Sequence, residues 1–326
     1  MKRFFDFSPS VWAYFQQVDA RFGTASATTE PATIDSYAGK PGTVRAVLWD
    51  VYGTLCGVGL GDLEKSLGRE PALETAACAT VAEFELTDTL QRLYPDCTPA
   101  TALRQLYVEL IDIANCRSRQ MGIEYPEVVI EDIWQTIIRT CQNAGYQPRQ
   151  RQSIRDRAYC WAYSFDANLQ QTFLYPGAGD CLRAIKNNGL IQGIISNAQF
   201  YTPIHLRRLL RGATDRNDLE LGDIFTEELV FFSYELGCSK PNPTAFERAL
   251  DVLQHRGIAP HETLYVGNDM LNDVWAAQNN RMRTVLYAGD RNQTTLRTDD
   301  DRCRGLRPDA IVTRMCEIAE QVLTRH

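Results

Sequence analysis

The chain has 326 residues, 44% hydrophobic and 23% charged, an ordinary globular balance with apolar mass for one large domain or two of moderate size. Its net charge of −7 at pH 7 argues against a nucleic acid or an anionic membrane surface as the main partner. The ten cysteines show no repeated C-x-x-C spacing and the four histidines no paired spacing, so the thiols read as reduced and mostly packed, and a zinc site is not expected.

The opening MKRFFDFSPSVWAYFQQVDARF lacks an uninterrupted apolar region suited to secretion, and no segment is long enough to cross a bilayer. A soluble cytoplasmic protein is the expectation. Residues 7–22 carry apolar side chains at helical spacing and predict a short amphipathic helix. Residues 23–44, rich in Gly, Ala, Ser, Thr and Pro, read as a linker or extended arm. Residues 1–44 are therefore set apart, expected to pack on the main domain or on a second copy of the chain, which leaves a homodimer open.

From residue 44, VRAVLWDV is a continuous apolar run of the kind buried on both faces of a parallel sheet, and it ends on Asp50, with Gly53 and Thr54 following. Residues 58–172 then give only helical signals, four or five helices with no good strand. After Tyr175-Pro176-Gly177 the order alternates: a helix over AGDCLRAIKNNG, the strand LIQGIISN, a helix around PIHLRRLL, and the strand ELVFFS. The helix PTAFERALDVLQHRG and the strand TLYVGND follow, then NDVWAAQNN, MRTVLYAG, DAIVT and a last helix. This order predicts an α/β fold, a Rossmann-like doubly wound parallel sheet built from 45–57 and 173–326, interrupted by a helical cap over 58–172.

Ligands of an open parallel sheet bind beyond the carboxyl ends of its strands. The residues delivered there are Asp50, Gly53 and Thr54 from the first strand, Ser196 and Asn197 from IISN, Lys240 from GCSKPNP, and Asn268, Asp269 and Asp273 from VGNDMLND. A carboxylate at a strand tip can attack an electrophile and form a covalent ester that water removes. A multiply charged substrate would be repelled by Asp50, Asp269 and Asp273 unless Mg²⁺, which favours carboxylate and substrate oxygens, balances them. Lys240 adds a positive charge, and the Ser196 hydroxyl with nearby backbone N–H groups can hold an anionic oxygen.

DVYGTL, IISNAQ, GCSKPNP and VGNDMLND, in that order, resemble the four motifs of the haloacid dehalogenase-like hydrolase superfamily, and the helical insert resembles its C1 cap. The resemblance covers residues 44 to about 323. It implies Asp50 as nucleophile, Ser196 as phosphate-binding hydroxyl, Lys240 as charge stabiliser, and Gly53, Thr54 and Asn197 around the substrate. Asp50, the Tyr52 carbonyl and a motif-four acid, Asp269 or Asp273, would hold Mg²⁺. The implied activity is hydrolysis of a small phosphorylated metabolite.

Two departures pull apart. Phosphatases of the superfamily carry a second aspartate two residues after the nucleophile, where this chain has Tyr52, a phenol ill-suited to proton transfer at neutral pH. Tyrosine there, and the Ser196-Asn197 pair, resemble the metal-independent 2-haloacid dehalogenases. Motif four keeps two acids that would repel a carboxylate substrate, and only Arg69 and Arg104 offer themselves as a halide cradle. The metal acid is expected to be Asp269, with Asn268 at the usual first acid as the alternative. A catalytically degenerate binding protein is a third reading.

Plainer readings stand beside these. Asp50 can close a turn, Lys240 can be a solvated surface lysine, Ser196 and Asn197 can end a strand, and Asp273 can favour a helix N-terminus. Tyr52 can face the core with only its carbonyl exposed to chemistry. Trp134, Trp161, Tyr163 and Phe165 read as packing, and Cys56 as a packing thiol, because nothing near it in sequence lowers its pKa.

Overall fold

The computed structural model of the chain describes residues 2–22, 29–38, 42–59, 69–149, 151–212 and 220–323. The chain divides into two units, Ser26–Gly57 with Thr172–His326 and Lys2–Ala25 with Val58–Gln171. No helix of the described residues is long and apolar enough to cross a membrane.

The first unit is built on a sheet of β1 (Ala46–Trp49), β4 (Ile191–Ser196), β5 (Val230–Phe232), β6 (Thr263–Gly267), β7 (Arg283–Tyr287) and β8 (Ala310–Val312), in the order β5-β4-β1-β6-β7-β8. Every neighbouring pair is parallel. All four residues of β1 are buried, as a strand covered by helices on both faces requires. After β1 the chain builds outward on one side through β4 and β5, then returns to build β6, β7 and β8 on the other. The order therefore reverses at β1, and the crevice beyond its carboxyl end is where such a sheet receives a ligand. Leu48, Ile195, Leu229, Phe246 and Tyr265 pack into one core cluster of this unit.

Two strands have no local signal in the sequence. β2 (Cys56–Val58) and β3 (Thr172–Leu174) pair as a small ladder where the helical insert leaves and rejoins, with Tyr175 N donating to Leu55 O at 3.0 Å. Residues of the expected arm also acquire a partner: Tyr37 makes an antiparallel bridge to Ile311 on β8. That contact covers a stretch of β8, which among the described residues has no other strand on its outer side, and so shields a sheet edge.

In the second unit, α2 (Arg69–Glu83) and α3 (Thr87–Leu93) are separated by Glu85, at φ 54°, a left-handed residue that stops the helix. α4 (Pro99–Gln120) starts on Thr98, whose hydroxyl caps Thr101 N, and has Pro99 at its first position. α5 (Ile130–Asn143) buries Ile130, Ile133, Trp134, Ile137, Ile138 and Cys141, spaced three and four apart. α6 (Ile154–Leu169), capped by Ser153, is buried around most of its circumference, including Trp161, Tyr163 and Phe165.

The expected arm at 1–44 is not one piece. The helix at its start, Pro9–Phe22, lies in the helical unit, where Phe15 meets Tyr163 at 4.3 Å between ring centroids and Asp19 accepts from the Tyr163 hydroxyl at 2.7 Å. It packs on α6 through aromatic side chains, with Phe7 also meeting Tyr159 at 5.0 Å. Among the ten cysteines all are free, five buried and three exposed, so the thiols are less packed than the composition suggests.

Candidate active site

Asp50 follows the last residue of β1 and is 5% exposed, placed by the central position of its strand; its N–H donates to Val266 O at 2.9 Å. Its Oδ1 accepts from Ser196 Oγ at 3.0 Å and from Lys240 Nζ at 2.7 Å. Its Oδ2 meets Thr54 Oγ1 at 3.3 Å. The two oxygens are thus unequal: one is restrained by a hydroxyl and an ammonium, the other retains lone-pair capacity.

Lys240 is buried at 6% exposure and bridges two acids, with Nζ 2.7 Å from Asp50 and 2.6 Å from Asp273, and 2.9 Å from Tyr265 Oη. Burial pulls its pKa down, but the Asp273 and Asp50 charges outweigh that and hold it above the usual lysine value. Burial is the largest influence on Asp273 as well and lifts its carboxyl above the usual range, with Lys240 opposing. Tyr265 carries no signal in the sequence, because it sits inside an apolar strand. Its hydroxyl accepts from Lys240 and donates to Ile195 O at 2.7 Å, tying the ammonium to β4.

Asn197, expected at the substrate, spends its amide on Lys240: Oδ1 accepts from Lys240 N at 2.7 Å and Nδ2 donates to Lys240 O at 3.3 Å. It positions the lysine. Gly53 has φ +84°, and a Cβ there would lie 2.2 Å from Asn268 Nδ2. Gly53→Ala is expected to cost about 1–3 kcal/mol in urea unfolding, from backbone strain and displacement of Asn268, and to lower turnover with it. An unchanged unfolding midpoint would show that the loop has another accessible geometry.

The Tyr52 hydroxyl is engaged with Thr202 Oγ1 at 3.1 Å and His205 Nδ1 at 3.4 Å. His205 is buried, and burial, reinforced by Arg208, pulls its pKa down to about 3. It stays neutral, and the stability it contributes is complete above the unfolded value near 6.5 and lost as pH falls toward 3, by up to about 1.4 kcal/mol per pH unit. Urea unfolding at about pH 7 and about pH 4.5 should show a steep loss in the wild type and a shallower one in His205→Gln. Equal slopes would remove His205 from the acid response.

Magnesium was expected on Asp50, the Tyr52 carbonyl, and Asp269 or Asp273. Neither acid is placed to serve. Asp269 caps the π-helical turn Met270–Trp275, with Oδ1 accepting from Leu271 N at 2.8 Å and Asn272 N at 3.0 Å, and pairs with Arg297 Nη2 at 2.6 Å. Asp273 accepts from Lys240 on Oδ1, with Tyr265 Oη 3.2 Å away, and from the N–H groups of Asn268 and Asp269 on Oδ2. Gly267 makes room for it, since a Cβ there would lie 2.2 Å from Asp273 Cγ.

The motif-four oxygen beside the nucleophile belongs to Asn268, whose Oδ1 lies 3.2 Å from the same Thr54 hydroxyl that meets Asp50 Oδ2. One hydroxyl proton cannot serve both acceptors, so buried oxygen capacity remains there for a hard cation. Asp50 and Asn268 therefore fit Mg²⁺; Asp269 and Asp273 do not. Among the described residues no group of three or more His, Cys, Asp or Glu side chains could hold a metal.

Arg104 is no halide ligand here: it pairs with Glu70 at 2.8 Å and Glu74 at 2.7 Å inside the helical unit. The side chain of Arg69 lies outside the described residues. Trp134, Trp161, Tyr163 and Phe165 are at most 2% exposed and serve packing. Cys56 is fully buried, and burial with the Asp50 charge raises its pKa, which suits a packing thiol.

The model of the haloacid dehalogenase-like hydrolases matches residues 44–280. Among curated proteins, glyceraldehyde 3-phosphate phosphatase of Pyrococcus furiosus is 32% identical over 123 residues, 37% of this chain and 45% of that protein. Phosphoglycolate phosphatase of Nitrosococcus oceani is 28% identical over 155 residues, 47% of this chain and 59% of that protein. The match thus spans about half the length of these relatives. A 2-haloacid dehalogenase of Pseudomonas syringae pv. Tomato superposes with a TM-score of 0.53 at 20% identity, over 86% of this chain and 98% of that one, a likeness of fold. With Asp50, Ser196, Lys240 and Asp273 gathered at the strand ends and the family model spanning most of the chain, the protein belongs to the haloacid dehalogenase-like hydrolases.

Proposed function

We propose that the protein is a phosphatase of a small phosphorylated metabolite working through Asp50. The observation that carries this reading is the asymmetric carboxylate, with Oδ1 held by Ser196 and Lys240 and Oδ2 left with one long contact at 3.3 Å. Oδ2 attacks phosphorus, the bond to the leaving oxygen breaks with the alkoxide taking a proton from solvent, and an aspartyl-phosphate forms; water then attacks phosphorus, giving its proton to solvent, and releases inorganic phosphate with the carboxylate restored. Lys240 balances charge on Asp50 and the transferring group, and the Ser196 hydroxyl and nearby N–H groups orient an anionic oxygen. Mg²⁺, held by Asp50, the Tyr52 carbonyl and Asn268, would compensate the charge of the phosphoryl oxygens. The names of the two curated relatives support the phosphate monoester.

Tyr52 does not replace the missing acid. Its phenol is turned to Thr202 and His205, so the leaving group departs without a strong proton donor and turnover of poor leaving groups is slow.

That same observation favours a second reading, a 2-haloacid dehalogenase in which Asp50 displaces halide from carbon, with no leaving-group proton needed. The repulsion expected from Asp269 and Asp273 is reduced, because Arg297 pairs with the first and Lys240 shares its charge between the second and Asp50. Paired product release decides. Phosphate from p-nitrophenyl phosphate and a metabolite panel, lost in EDTA, is the expected result; halide from 2-chloropropionate, insensitive to EDTA, would replace it with the second reading.

A further inference from the structure

Residues 290–297 strap the end of β6. Thr295 N donates to Asn268 O and Met270 N to Thr295 O, both at 2.9 Å, so the segment pairs with motif four like a short extra strand. Gln293 O accepts from Asn268 Nδ2 at 2.6 Å, which turns Asn268 Oδ1 toward Thr54. Arg297, at φ 53°, forks onto Asp269, with Nε and Nη2 at 3.0 and 2.6 Å from Oδ2. Asp290 anchors the start of the strap, accepting from Asn292 N and from the Tyr175 hydroxyl at 2.9 Å each.

The strap changes the site's electrostatics. Asp269 receives donors from Leu271 N, Asn272 N, the Asn272 amide and Arg297, which fill the roughly four acceptor positions of a carboxylate. Asp50, Asp269 and Asp273 are met by Lys240 and Arg297, so three negative charges face two positive ones. One carboxylate and neutral oxygens make a weak seat for Mg²⁺, an ion that completes its shell with substrate phosphate oxygens.

We propose that this strap sets the divalent-cation affinity of the site: Arg297 takes up the charge of Asp269 and Gln293 aims Asn268, so the protein alone holds Mg²⁺ weakly and binds it firmly only together with an anionic substrate. The proposal rests on the magnesium reading above and specifies it. Ion and phosphate are then coupled ligands, each tightening the other by the same factor. Arg297 is a positioning residue, acting through Asp269.

The test is calorimetric titration of Mg²⁺ into the full chain, with and without inorganic phosphate, for wild type, Arg297→Gln, Arg297→Lys and Asn268→Asp. Thermal midpoints confirm that each is folded. Without phosphate, Arg297→Gln and Asn268→Asp should bind Mg²⁺ at least about ten-fold more tightly than wild type, and Arg297→Lys should stay close to it, since the charge is kept. Phosphate should tighten the wild type by about ten-fold. Equal affinity in wild type and Arg297→Gln overturns the role of Arg297, as does an Arg297→Lys that tracks the glutamine variant. No Mg²⁺ binding in any of the four, with or without phosphate, overturns the magnesium reading itself.

Discussion

Lys240→Met should destabilise the protein by about 3–5 kcal/mol and abolish turnover, the largest single effect expected from any residue of the site. The ammonium is almost completely enclosed and lies between Asp50 and Asp273, both themselves buried. Removing it leaves two buried carboxylates facing each other, so at least one must take up a proton or the region must open. The cost comes from these stranded charges and not from lost packing, since a methionine fills much of the same volume. A double-mutant cycle separates the two. Lys240→Met/Asp273→Asn should recover a substantial part of the stability in urea unfolding while turnover stays lost. A double variant no more stable than Lys240→Met would show that repulsion between the acids is not what the lysine prevents.

Asp50→Asn should lower turnover by at least roughly a thousand-fold while shifting the thermal midpoint little. The amide oxygen can still accept from Ser196 and from Lys240, at the 3.0 and 2.7 Å contacts the carboxylate makes now. What the amide lacks is a nucleophilic oxygen and a charge to share with the ammonium. The expected change in stability is within about 1 kcal/mol, because removing a buried negative charge offsets the loss of one ionic contact. Turnover persisting near the wild-type rate would exclude a covalent intermediate on Asp50, and unfolding of the variant would assign the carboxylate a structural role.

Much of the fold is legible in the sequence because its elements are local in character. The run ending at Asp50 is apolar enough to require burial on both faces, and the later strands alternate with helices of ordinary length. What escapes is long-range. Cys56–Val58 and Thr172–Leu174 have no periodicity at three residues each and become strands only by pairing across the whole insert. The site divides the same way. Asp50 and Ser196 sit at strand ends and Lys240 in the segment after β5, an order that can be read along the chain, and they converge on one another. The direction in which the motif-four acids point is not readable locally: Asp269 is held by Arg297, 28 residues on and in a stretch without regular pattern, and Asp273 by Lys240, 33 residues before it. Tyr265 was hidden for a related reason: inside a strand, a tyrosine counts as apolar until its hydroxyl finds a partner.

The helix Pro9–Phe22 is made before the first strand yet belongs with α6, which starts at Ile154. Roughly 130 residues separate the two, so during synthesis at 5–20 residues per second the helix waits on the order of ten seconds for its aromatic partners. Through that interval Val11, Phe15 and Val18, all buried in the finished fold, lack α6, while Phe15 already has Phe7 and Trp12 as native aromatic neighbours. Those three side chains need cover, from a holdase or from their own segment, until α6 is made. Trimming residues 1–25 would transfer that need to the mature protein, by stripping Tyr159 and Tyr163 of their cover.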